Sequence, residues 1–137
     1  MRKPRAYILD SWAIMAFLGD EPSGAKVADL IADAHENGVP VLMTSVNVGE
    51  VWYVVARQVS DAEAETSVRQ LRELGIEFRV VDWEVARHAA RFKTRHKMSY
   101  ADCFVAALAK TVKGSVLVTG DKEFSSVEPE VVIRWLA

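Results

Sequence analysis

The sequence predicts an α/β fold built around a mostly parallel sheet. Three observations predict it. Short apolar runs of strand length alternate with longer segments of helical period, the runs lack the in-and-out alternation of a half-wetted sheet, and Gly, Pro or a capping Ser marks most boundaries. Strands separated by helices pair in parallel through right-handed crossovers. At 137 residues the chain suits one domain, 1–137, with no linker, repeat or low-complexity segment.

AYILD (6–10) reads as a strand buried on both faces, because its apolar residues run unbroken to a terminal acid. SWAIMAFLG follows as a short helix stopped at Gly19 and Pro22. Ser23 is then expected to cap a helix in which Val27, Leu30, Ile31 and Ala34 share a face and which Gly38 ends. VPVLMT (39–44) is the second strand, and Thr44 or Ser45 opens a helix running through EVWYVV. Ser60 caps DAEAETSVRQLRELG, with Val68, Leu71 and Leu74 apolar and Gly75 at its end. IEFRVVD (76–82) is the third strand and WEVARHAARFKTRHK a basic helix. Ser99 begins a helix that Gly114 stops. SVLVTGD (115–121) is the fourth strand with its exit turn, and VVIRWL (131–136) the fifth.

Lys and Arg number 17 against 19 Asp and Glu, a net charge of −2, so any nucleic-acid surface must be a local patch. The single Cys103 can form no internal disulfide, and no Cys–His cluster suggests zinc. The basic, then apolar, first residues are interrupted by Asp10 and lack a cleavage site or a membrane-length span. A cytoplasmic protein without membrane association is expected.

Four acids stand out by isolation. Asp10 is the only charge between Arg5 and Asp20, Glu50 between Glu36 and Arg57, and Asp102 between Lys97 and Lys110, while Asp121 directly follows SVLVTG. Asp10 and Asp121 stand at strand C-termini, the edge where open parallel sheets bind ligands. Glu50 and Asp102 fall in first turns of helices, and Ser99 to Asp102 has capping-box spacing, so a structural role is also available to Asp102. If the four converge, repulsion raises their pKa values unless a cation joins them. Oxygen donors without Cys or His favour Mg²⁺ or Mn²⁺, the usual apparatus for phosphodiester hydrolysis by a metal-activated water.

YILDS, SVNVGEV, SYADCFVAALA and VLVTGDKEF, in that order between Tyr7 and Trp135, resemble a PIN domain, most of all the VapC toxins of bacterial and archaeal toxin–antitoxin pairs. The resemblance implies a three-layer sandwich whose five-stranded parallel sheet, order 3-2-1-4-5, is flanked by helices. It implies an endoribonuclease using Mg²⁺ or Mn²⁺, with Asp10, Glu50, Asp102 and Asp121 catalytic and Asp10, Asp102 and Asp121 on the metal. Ser11 and Thr119 are expected to steady a bound water or a ligand carboxylate. Two positions depart from the family: Trp12 stands where relatives have a small hydroxyl residue, and Glu123 where they have aspartate. Glu123 is expected beside the metal or in solvent. The implied partners are a small VapB-like antitoxin whose tail presents Arg to the acids, and a second copy of the chain.

ARHAARFKTRHK carries no acid and runs toward Asp102. Arg91 and Arg95, four apart, share a face, and with Lys97 they are expected to hold RNA phosphates, against the alternative of a solvated helix face. His88 and His96 read as helix surface, and Trp12 as an aromatic for base stacking. Three other readings are open. One is a PIN nuclease for another nucleic acid, and the second a PIN-fold scaffold without activity. The third is a haloacid-dehalogenase-type phosphatase, which is disfavoured because Trp12 occupies the position of its second aspartate.

Overall fold

All five expected strands form, and all pair in parallel: β1 (Ala6–Leu9), β2 (Val41–Thr44), β3 (Ile76–Arg79), β4 (Ser115–Thr119) and β5 (Ile133–Trp135) lie in the order β3-β2-β1-β4-β5. The structure is a computed structural model and describes residues 3–137; residues 1 and 2 of the expected 1–137 domain lie outside the described residues. Between the strands run α1 (Ser11–Leu18), α2 (Pro22–Glu36), α3 (Ser45–Gln58), α4 (Asp61–Glu73), α5 (Trp83–Arg95) and α6 (Tyr100–Thr111), and a 3₁₀ helix at Lys122–Val127. The pairing of β1 with β4 runs from Ala6 opposite Ser115 to Leu9 opposite Val118, which sets Asp10 beside the end of β4.

Unbroken apolar runs are what a sheet covered on both faces requires. Tyr7 and Leu9 of β1 pack into one core with Val27 and Ile31 of α2, Val51 of α3 and Leu71 of α4. Ala6 and Ile8 point the other way, into a second core with Phe92 of α5 and with Cys103, Val105 and Phe124. The sheet is the middle of three layers, as the resemblance implies.

Capping explains most helix starts. Thr44 accepts from the Asn47 amide at 3.0 Å, Ser60 from Glu63 at 3.1 Å, Asp82 from Val85 at 2.9 Å and Ser99 from Asp102 at 3.2 Å. Several boundaries differ from expectation: β2 begins at Val41 and β5 covers only Ile133–Trp135, each shorter than its apolar run, and two others have a clear local cause. α2 begins at Pro22 with Glu21 as a cap whose side chain makes no capping bond, because proline at the first helical position already has the helical φ; Ser23 lies inside the first turn. β3 ends at Arg79, since Asp82 is drawn into capping α5. Gly24 lets α2 lie on α1, for a β-carbon there would meet the Ala16 carbonyl oxygen at 2.5 Å.

Candidate active site

The sheet topology collects the isolated acids at the C-terminal edge of the central strands. Asp10 follows β1 and caps α1, accepting from the Ala13 amide at 2.8 Å through Oδ1. Its Oδ2 accepts from the Thr119 hydroxyl at 2.5 Å. Thr119 Oγ1 in turn accepts from the Asp121 amide at 3.0 Å, so one hydroxyl joins the end of β1 to the turn after β4. Asp121 caps the 3₁₀ helix by accepting from the Glu123 amide at 3.0 Å. Asp102 is buried in the first turn of α6, and Glu50 enters from the second turn of α3, not the first as expected, because Thr44 caps the helix and Ser45 begins it.

These side chains surround an open cleft of about 330 Å³ lined by Ser11, Trp12, Glu21, Glu50, Asp102 and Asp121, among others. Carboxylate oxygens of Asp102, Asp121 and Glu123 all lie within 4.8 Å of one another. Asp10 is fully buried, with each carboxylate oxygen held by a bond from Ala13 or Thr119. Burial pushes the Asp10 carboxyl up to about 7, against the hydrogen bonds from Thr119 and Ala13 and with help from the charges of Asp102 and Asp121. Burial, then Asp121, and then Glu50 and Glu123 raise Asp102 to about 6, against the bond to Ser99.

The acids meet, and among the described residues no ion pair neutralises them. Among the described residues the ion pairs are Arg79–Glu77, His96–Glu130 and Lys110–Glu130, and none touches the cleft. One buried oxygen, Glu50 Oε1, has no hydrogen-bond partner. An all-carboxylate set with an orphaned buried oxygen and no counter-charge among the described residues fits a hard divalent cation of the Mg²⁺ or Mn²⁺ kind.

Every acid singled out by the sequence contributes to this cleft or lies directly beneath it. Ser11 lines it, while Thr119 is buried and bonds the Asp10 carboxylate. Glu123 is exposed and has an oxygen within the group formed with Asp102 and Asp121. Trp12 lies across Gly120, where a β-carbon would come within 2.2 Å of its ring. Arg91, Arg95 and Lys97 do not line the cleft; Arg91 and Arg95 border a separate depression with His88, Lys110 and Glu130, and Lys97 is exposed just before Ser99.

Asn47 escaped the sequence reading. Fully buried, it bonds the Thr44 hydroxyl and donates from Nδ2 to the Ala101 carbonyl at 3.1 Å, tying the start of α3 to the first turn of α6. The Thr-x-x-Asn spacing across the second strand's end was its one visible signal. Next to Asp102, the Cys103 thiol is fully buried; burial raises its pKa above the usual thiol value, Lys93 opposes and Asp102 adds to the rise.

The PIN domain family model matches residues 7–129. No curated protein matches by sequence. Among solved structures, the fold is similar to a DNA-bound VapBC complex of Salmonella typhimurium, at 16% identity and TM-score 0.74, covering 96% of this chain and 98% of that one. It is similar to Mycobacterium tuberculosis VapC20, a sarcin-ricin loop cleaving toxin, at 17% identity and TM-score 0.69, covering 89% and 95% of the two chains. FitAcB of Neisseria gonorrhoeae matches at 19% identity and TM-score 0.63, over 95% and 97%.

Proposed function

The chain belongs to the PIN domain family, and on that premise we propose that it is a divalent-metal-dependent endoribonuclease, the toxin of a type II toxin–antitoxin pair. The observation that carries this reading is the convergence of Asp102, Asp121 and Glu123 above the buried Asp10, with Glu50 in the same cleft and no Lys or Arg of the described residues lining it.

Asp10, Asp102 and Asp121 would hold Mg²⁺ or Mn²⁺, with Glu123 within reach of the same point. Bound there, the ion supplies positive charge to the scissile phosphate and acidifies water. Thr119 fixes the rotamer of Asp10 and the position of the Asp121 backbone together. Glu50 Oε1, having no other partner, is the atom able to accept a hydrogen bond or proton from the attacking water. Trp12, partly exposed beside Ser11 in the cleft wall, offers a ring face to a base.

The solved structures similar to this chain include complexes described as VapBC, which supports a small VapB-like antitoxin as partner. An arginine from such a partner would supply the charge that the cleft lacks. A homodimer acting in the cytoplasm as a single domain completes the proposal. Among the described residues no helix is long and apolar enough to cross a membrane.

The test is incubation with total RNA, with and without Mg²⁺ or Mn²⁺, mapping the cleaved ends. Cleavage that requires the ion and disappears in Asp10→Asn is expected. Cleavage surviving chelator would overturn the mechanism, and intact RNA under every condition would favour a scaffold without activity.

A further inference from the structure

The cleft has a consequence for binding. Its lining contains no Lys or Arg, so four or five carboxylates face a polyanion with no compensation beyond the metal. The affinity for RNA must come from elsewhere on the molecule.

A groove of about 770 Å³ lies at the opposite edge of the sheet, where β1 and β4 begin. Lys3, Arg5, Lys113 and Arg134 line it, and no ion pair among the described residues engages any of these four. Three of them are positioned by contacts that leave the charge uncompensated. Lys3 donates to the Asn37 carbonyl at 2.7 Å, the Arg134 guanidinium lies 5.1 Å from the centre of the Tyr7 ring, and the Arg5 stem covers Gly114. Lys110 and Glu130 also line this groove, and the same two residues line the depression holding Arg91 and Arg95. Glu130, the one acid shared by the two, sits 3.4 Å from Lys110 and 3.9 Å from His96. The two depressions therefore adjoin, and basic side chains run on from one into the other.

α6 connects this surface to the cleft. Asp102 is in its first turn and Lys110 in its last, separated by roughly 12 Å of helical rise. Resting on the ribonuclease reading, we propose that RNA held in the acidic cleft continues along the α5–α6 face into the groove at the far edge of the sheet, where Arg5, Lys113 and Arg134 take its phosphates. The site is non-specific by chemistry, since charge on phosphate positions a strand without reading it. It makes productive binding depend on substrate length, because a fragment short enough to fit the cleft cannot reach the groove.

The test compares Lys113→Glu and the double variant Lys113→Glu/Arg134→Gln with the parent chain, all in a Glu50→Gln background that leaves RNA intact. Fluorescence anisotropy is read on single-stranded RNAs of 4 and 20 nucleotides across a salt series, and thermal melting checks folding. The expected result is a loss of about tenfold or more in affinity for the longer RNA in the double variant. Its salt slope should shrink by roughly 0.7 for each phosphate contact removed. Affinity for the short RNA should not change. Equal affinity of parent and variants for the longer RNA overturns the path while leaving the nuclease standing. If the parent binds neither RNA, the path and the ribonuclease reading fall together. Binding of a poly-glutamate peptide that is lost in the variants, with RNA binding unchanged, reassigns the groove to an acidic protein.

Discussion

Asp10 is fully buried, and folding is linked to its titration. Its carboxyl rises from 3.8 to about 7, so between those values the folded chain binds a proton that the unfolded chain has released. Stability conferred by the neutral form is therefore complete below pH 3.8 and is lost as pH rises toward 7, a change on the order of 4 kcal/mol. Asp102, raised to about 6, adds to the same trend. The metal-free protein should accordingly melt at a lower temperature at pH 8 than at pH 5.5, with the difference reduced by Mn²⁺. Asp10→Asn, which can still cap α1, should melt higher than the parent in chelator and show a weaker pH dependence while losing cleavage at least a hundredfold. Thr119→Val leaves a carboxylate oxygen and a backbone amide without their partner and should lower stability by about 1–3 kcal/mol in denaturant titration. The sequence exposed Asp10 and Asp102 because a lone charge in an apolar run needs an explanation. It could not expose the Thr119 bond, which exists only because β1 and β4 pair.

Helix starts bring the site together, Asp10 as the cap of α1 and Asp102 in the first turn of α6, with Glu50 one turn further along α3. Asn47 sets the start of α3 against that of α6. Its bond to the Ala101 carbonyl fixes α6, with Asp102, against α3, with Glu50. Asn47→Ala should weaken Mn²⁺ binding by calorimetry more than it lowers the melting temperature of the chelated protein; a change in stability alone would make Asn47 a packing residue. At the turn after β4, Gly120→Ala drives a methyl into the Trp12 ring and should destabilise by about 1–3 kcal/mol. Adding Trp12→Ala should recover much of that loss, a non-additivity that double-mutant analysis reads directly. The helices and strands were legible as elements because period, caps and glycines agree along the chain. Several boundaries were not; at the start of α2 and the end of β3, Pro22 and Asp82 compete with neighbouring signals and win through backbone geometry and capping.

Over the whole molecule, strand order makes a site from acids more than a hundred residues apart. That order came from resemblance to a family, because apolar runs reveal that strands are buried and leave their neighbours unspecified. The far basic groove was invisible for a related reason: Lys3, Arg5, Lys113 and Arg134 come from three separate stretches that only the parallel sheet brings to one edge. Binding of a cation to the folded chain alone should raise the melting temperature with concentration, by about 2.7 kcal/mol of stability at a hundred times its dissociation constant. The thiol of Cys103, sealed beside Asp102 with its pKa raised, adds a clock to that measurement. Alkylation has to wait for α6 to lift from the sheet, so the labelling rate times how often the centre comes apart. Slower labelling when the ion is present would show that the ion holds this corner of the protein shut.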